Sequence, residues 1–472
     1  MNHQIQKQIL DVTLHVPESE AFGWQHRLSE WANGPLATAL ARALDACAPA
    51  EEHWQIEELT IELNAVNLDN FEDEILHKIA QALEQAIKEK LHHAQQTPTQ
   101  AVGLKNIHQN TAEAFVYFLQ TGLLPWAYRL PTDQTWEQAI LQTFYQEPVS
   151  IKTALFSLLK NAQVRERLIA QFSQSFLEEI VATFGSQSKT QLKLFFDIWL
   201  EPHDPSTASA VEGSAKEIWN DIWNYIAVQD KIVLDKIIQQ YYQKQGDSKR
   251  QRIEKVIAQL AQREKGNWTT LLTELQTVNP KSETLDAPAL AQQTIPSTQP
   301  NNIALHDIKE IYVQCAGLVL LHPFLPRFFE GILCTSDDEL VWHEKAALSL
   351  HFLATGQSEA AEYELTTAKI LCGIPIHQTL PKAVTWQPQD TEEAEALLAA
   401  VIKYWPVLKD SSIDLLRAEF LQRAGKLSRR ADGWLLQVEK RDFDFYLLTE
   451  LPWSFSTIKL PWMKEFLWVE WV

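Results

Sequence analysis

Residues 311–334 (IYVQCAGLVLLHPFLPRFFEGILC) constrain the fold more than any other stretch. An uninterrupted apolar run, 316–321, meets His322, Pro323 and Phe324, and a second proline follows at Pro326. The residue before a proline is pushed out of the α region, so a buried helix is expected to end near Leu321. Pro326 fits the first turn of a new helix, where its missing N–H is not needed. The stretch therefore reads as helix, sharp turn and aromatic helix, all largely buried.

The chain before it opens on alternation. Leu10, Val12, Leu14 and Val16 alternate with polar residues, the period of a half-buried strand. A helical stretch over 20–47 follows, with Gly34-Pro35 placed to break or kink it. A second alternation runs through Leu59, Ile61 and Leu63, Asp69 or Asn70 is a candidate cap, and Phe71, Ile75, Ile79, Leu83, Ile87 and Leu91 form a helical stripe. The expected unit, 1–95, is strand–helix–strand–helix. Glu58 and Glu62 read as a solvated strand face, and His92-His93 as exposed side chains pointing different ways.

Residues 104–277 read as a helical domain, a bundle or solenoid-like array, with helices over 112–124, 135–145, 151–159, 164–184, 189–200, 215–243 and 251–260. No fixed-period repeat is present, which counts against a true solenoid. The basic stretch Lys244, Lys249, Arg250, Arg252 and Lys255 reads as a solvated helix face, because Asp247 and Glu254 interleave and stacking aromatics are missing.

Residues 278–302 lose periodicity and turn rich in Pro, Thr, Ser, Gln and Asn, the composition of an interdomain linker. Residues 303–472 form the expected C-terminal domain, with helices over 340–354, 363–371, 391–404 and 413–424, and Gly356 and Gly425 in C-cap positions. From Gly433 the period becomes two. Trp434, Leu436 and Val438 with Phe443, Phe445 and Leu447 read as a hairpin around 440–442, followed by strands over 455–459 and 466–471. The tripeptide Leu-Pro-Trp recurs at 124–126, 451–453 and 460–462. The fold class is mainly α, with a small unit containing strands at the start and a short sheet at the end. The terminal tryptophans Trp453, Trp462, Trp468 and Trp471 read first as packing residues and second as a protein interface, given their density.

Composition narrows the function. Lys and Arg number 41 against 61 Asp and Glu, a formal charge of −20. That balance opposes nucleic acid and anionic membranes as partners. Four scattered cysteines (Cys47, Cys315, Cys334, Cys372) without paired spacing fit reduced thiols, and no signal peptide or spanning segment is visible, so a cytoplasmic protein is expected. Phosphate-loop, dinucleotide, zinc-protease and nucleophile-elbow motifs are missing; His343-Glu344 with His351 has the wrong spacing for zinc. His322 reads as a buried histidine bonded to a helix-end carbonyl. No enzyme, cofactor or metal is expected.

The GLVLLHPFLPRFFE run resembles the signature of the contractile injection system tape measure family, found in phage-tail-like particles of bacteria. Matching segments follow in order: LATG at 353–356 with EYEL at 362–365, KILCGIP at 369–375 and LPWSFSTIKLPWMKEFLWVEW at 451–471; fainter ones lie at 56–68 and 118–126. The resemblance implies a structural protein that fixes tube and sheath length, with other particle proteins as partners: inner tube, hub or spike, baseplate, or terminator. One feature disagrees with an extended ruler. A helix of this length would reach about 700 Å at 1.5 Å per residue, whereas proline punctuation and many tryptophans describe packed domains. A globular assembly factor, chaperone or adaptor of the same particle is the alternative.

Overall fold

The computed structural model describes residues 5, 8–47, 52–56, 59–63, 71–96, 102–184, 189–201, 208–229, 233–263, 267–277, 310–336, 339–441 and 444–471. The chain divides into two compact units, Met1–Glu113 with Ala127–Leu130, and Ala114–Trp126 with Pro131–Val472. The fold is mainly α with small sheets. The expected linker at 278–302 lies outside the described residues.

In the first unit, helix Glu18–Trp31 passes through a π-helical turn, Ala32–Leu36, into helix Ala37–Cys47. Pro35 lies inside that turn, and its missing N–H explains why the ladder widens there instead of stopping. Strand β1 (Glu52–Ile56) pairs antiparallel with β2 (Val102–Asn106), on either side of helix Phe71–Gln96 in the sequence. This corrects two expectations. Residues 8–15 are irregular, and Ile9, Leu10 and Val12 are exposed; 59–63 also form no strand. Alternation marks a residue pattern suited to a sheet, but a strand needs a partner in register, and these segments have none among the described residues. The order is thus helix, strand, helix, strand. The candidate caps Asp69 and Asn70 lie outside the described residues. The helical stripe holds: Ile79, Leu83 and Ile87 are buried, and Ile79 joins Trp31 and Leu36 in a small core.

The second unit begins within helix Ile107–Thr121 and continues through Trp136–Gln146, Pro148–Leu158, Ala162–Gln171, Gln174–Ala182, Lys189–Leu200, Ala208–Gln229, Leu234–Lys244, Asp247–Arg263 and Trp268–Thr277. Two spans expected as single helices are each divided. At Ser173 the hydroxyl accepts the Phe176 N–H (3.3 Å) and starts a new helix, the local chemistry that favours serine at an N-cap. Thr135 and Gln138 form a reciprocal capping box at the head of Trp136–Gln146. Aromatics fill the interior: Phe196 and Trp219 stack at 4.5 Å and 4°, and Phe172 stacks on Phe176 at 4.6 Å. Such pairs add about 0.5–1.5 kcal/mol beyond area burial.

The same unit contains a five-stranded sheet in the order β3 (Glu310–Val313), β6 (Gly425–Arg430), β7 (Gly433–Val438), β9 (Phe466–Trp471), β8 (Thr457–Ile458). Its pairs are antiparallel except β7–β9, and a separate two-stranded ladder joins β4 (Thr335–Ser336) to β5 (Glu339–Leu340). The hairpin is therefore β6–β7, one strand earlier than expected. Gly425 starts a strand instead of capping a helix, and the expected second arm contains helix Asp444–Thr449, with 442–443 outside the described residues. Alternation in β7 is genuine; a purely local reading has no means of choosing which neighbour it pairs with.

One sheet face, with Ile311, Val313, Leu427, Leu436, Val438, Leu467 and Val469, closes on the large core. At its centre residues 316–321 are all buried, in a 3₁₀-helix Ala316–Phe324 that runs through Pro323 and feeds α-helix Leu325–Gly331. The expected stop near Leu321 does not occur, because the tighter helix tolerates the proline. Gly317 is pressed against another segment: an added Cβ would lie 1.7 Å from the Phe420 carbonyl oxygen.

Candidate functional site

Three of the four terminal tryptophans use their indole N–H inside the molecule. Trp453 donates to Leu320 O (2.9 Å) and sets its ring edge-on to Phe324 at 5.1 Å. Trp462 donates to Leu371 O (2.8 Å), with Phe329 at 5.3 Å. Trp471 donates to the Asp444 carboxylate (2.7 Å), which also receives Arg423 at 2.7 Å. These bonds tie the end of the chain to the 316–331 segment and its neighbours. Trp468 differs: it shares the opposite sheet face with Phe466, and its buried N–H has no acceptor among the described residues.

A second constellation lies deep inside the second unit. Arg167 and Glu362 are fully buried and meet in a two-pronged ion pair, Nε to Oε2 at 2.9 Å and Nη2 to Oε1 at 3.2 Å. Arg167 also donates to Leu119 O and His377 O, both at 2.7 Å. Lys369 closes the cluster, donating to Glu362 Oε1 (2.7 Å), Ile376 O (2.8 Å) and Gln378 O (2.7 Å). Gln171 accepts the Glu362 N–H at 2.9 Å and donates to Leu380 O at 2.6 Å. Burial pushes the Lys369 pKa down, and Glu362 draws it back up. Gly122 borders the cluster in the left-handed region (φ +77°), where an added Cβ would stand 2.4 Å from Glu362 Oε1. Only glycine combines that conformation with that space.

The residues gathered here come from separate recognised stretches: Gly122 from 118–126, Glu362 from EYEL and Lys369 from KILCGIP. Arg167 was not anticipated, although the signal was present. Val164, Arg167, Leu168 and Gln171 lie at core spacing on one helix and all are buried. A charged residue at an apolar-stripe position predicts a buried partner.

The remaining candidates show no reactive arrangement. His322 Nδ1 donates to Val319 O (2.9 Å) inside the 3₁₀-helix and not at a helix end, and partial burial lowers its pKa. His351 is buried with both ring nitrogens unpartnered among the described residues, and burial lowers its pKa to about 4. Burial raises the Cys315 and Cys334 thiols to about 12 and Cys372 further, which disfavours thiolate chemistry. Among the described residues there is no grouping of side chains suited to a metal and no helix long and apolar enough to cross a membrane. In the basic stretch, Lys244 pairs with Asp221 and Lys249 with Glu217, while Arg250 and Arg252 cap the Tyr242 and Trp199 carbonyls.

Residues 2–471 match the family described as contractile injection system tape measure protein. No curated protein and no solved structure gives a significant match.

Proposed function

Because the chain belongs to the contractile injection system tape measure protein family, we propose that it takes part in fixing tube and sheath length during particle assembly, and that it acts as a folded body without spanning the tube. The observation that carries this reading is the Arg167–Glu362–Lys369 cluster. It ties segments separated by 195 positions through fully buried charges. Drawing the chain out would separate all of these partners and expose the aromatic core to water. A compact unit of a few hundred residues has a radius of gyration of about 20 Å. A body of that size suits an end of a tube, where it would contact hub, baseplate, inner tube or terminator proteins. The role is structural, not catalytic. Of the four terminal tryptophans, Trp468 is the one on the sheet face away from the large core, beside Phe466, so a contact made by this sheet would run through that face.

The same compactness favours a second reading, a globular assembly factor that chaperones the tube or baseplate and then leaves. Gene deletion followed by electron microscopy tests both, with purified particles probed for the retained protein. Length setting predicts lost assembly or a broadened length distribution on deletion, with the protein retained in wild-type particles. A departing factor predicts lost assembly and no retained protein. Particles of normal number and length without the gene would exclude both.

A further inference from the structure

The second unit exposes large apolar side chains at several places, among them Val149, Phe445 and Tyr446, and one such place is a spur of three residues. Leu333, Val341 and Trp342 are 76%, 52% and 61% exposed. The chain brings them together: the Cys334 carbonyl accepts the N–H of both Val341 (2.9 Å) and Trp342 (3.3 Å), and Leu333 precedes Cys334. Their base is fixed. Cys334 is fully buried and donates to Phe329 O at 2.7 Å. Lys345 holds the Ile332 carbonyl at 2.9 Å while pairing with Asp390 at 2.7 Å. Leu333 itself sits at φ +60°, a left-handed conformation that leucine rarely adopts. That conformation closes the Leu325–Gly331 helix, with Leu333 N–H donating to Glu330 O (3.0 Å) and Cys334 N–H to Phe329 O as the paired bonds of a left-handed C-cap, and it holds the exposed leucine side chain in place. A rigid, exposed Trp beside two aliphatic groups is the composition of an interface anchor.

The charges beside the spur say what kind of surface it meets. Glu330, Glu339 and Glu344 are exposed, flank the three apolar residues in sequence, and form no ion pair among the described residues. Arg327 is an exposed cation on the same short helix as Glu330, and Lys345 is already occupied. Among the described residues of this stretch, three unpaired carboxylates against one exposed cation repel an anionic lipid surface and a nucleic acid alike.

We propose that Leu333, Val341 and Trp342 form a docking knob for another particle protein that offers an apolar pocket rimmed by lysine or arginine. The inference rests on assembly with the particle and is independent of whether the chain sets length.

A photo-crosslinking residue placed at Val341, and separately at the exposed Glu344, in the full chain expressed from its gene cluster tests it. The expected product is one dominant crosslink to a particle protein, mapped by mass spectrometry to a segment with several Lys or Arg. Trp342→Ala should lower its yield about tenfold or more, and Glu330→Lys with Glu339→Lys should lower it as well. Leu333→Gly relieves the backbone, so Tm should hold or rise while the crosslink weakens; a merely structural Leu333 would show no such opposition. Only background crosslinks at both positions, or crosslinks to lipid, to a second copy of this chain or to an acidic segment, would overturn the proposal. So would a yield indifferent to Trp342→Ala. Sheath length measured on the same particles separates failure of this surface from failure of the length-setting role.

Discussion

The two units solve the problem of a stable interior differently. In the first, a few apolar residues on amphipathic helices (Trp31, Leu36 and Ile79, with Trp24, Leu28, Leu40 and Ile75 around them) make a small core with no buried ion pair among its described residues. In the second, an extensive apolar core surrounds fully buried charges, Arg167, Glu362 and Lys369, whose partners come from distant parts of the chain. An apolar core tolerates repacking, whereas a buried charge accepts only its own partners. The second unit is therefore the more exacting structure, and single changes there should cost more.

Arg167→Met breaks that contrast most directly. It leaves Glu362 and Lys369 partly unanswered and should destabilise the second unit by about 3–5 kcal/mol, read by urea titration of tryptophan fluorescence. Replacing all three charges with apolar residues of similar size should recover most of the loss. A single-variant cost below about 1 kcal/mol would mean the cluster is not holding the unit together.

Ile79→Ala probes the other side. Cavity formation there should cost about 2–4 kcal/mol, appearing in hydrogen exchange as faster exchange within 18–47 and 71–96, with 162–182 unchanged. Equal loss of protection across both regions would show that the units unfold as one.

A smaller effect separates buried charge from buried neutrality. His351 titrates near 4 in the folded protein against about 6.5 unfolded, so its contribution to stability is complete above pH 6.5 and lost as pH falls toward 4. His351→Leu should flatten the pH dependence across that window, by at most about 3 kcal/mol at its acid end. An unchanged slope would show that His351 stays neutral or acquires a partner. Smallest of all, Trp468→Phe keeps the aromatic face and removes an N–H with no acceptor among the described residues; Tm should move by no more than about 1 °C.

Much of this architecture is legible locally. Helix Lys189–Leu200 and strand Phe466–Trp471 fall where periodicity puts them, and Gly356 caps its helix at φ +75°. What was illegible is pairing across distance. Alternation at 10–16 and 59–63 finds no strand partner among the described residues, β7 makes its hairpin with β6 and not with 443–447, and nothing adjacent to Glu362 in sequence announces Arg167. Register and buried-partner choice are set by tertiary contacts, which a periodicity reading does not contain. The motif-bearing stretches were visible as words; their meeting point was visible only in three dimensions.

The most direct test of the folded-body account is sheath length by electron microscopy after inserting helical segments between residues 201 and 208, between the Lys189–Leu200 and Ala208–Gln229 helices in the sequence. A forty-residue helix would lengthen an extended ruler by about 60 Å. The folded-body account predicts particles of wild-type length with the insert retained. Sheaths that grow in proportion to the insert would contradict it and establish that the chain is drawn out along the tube.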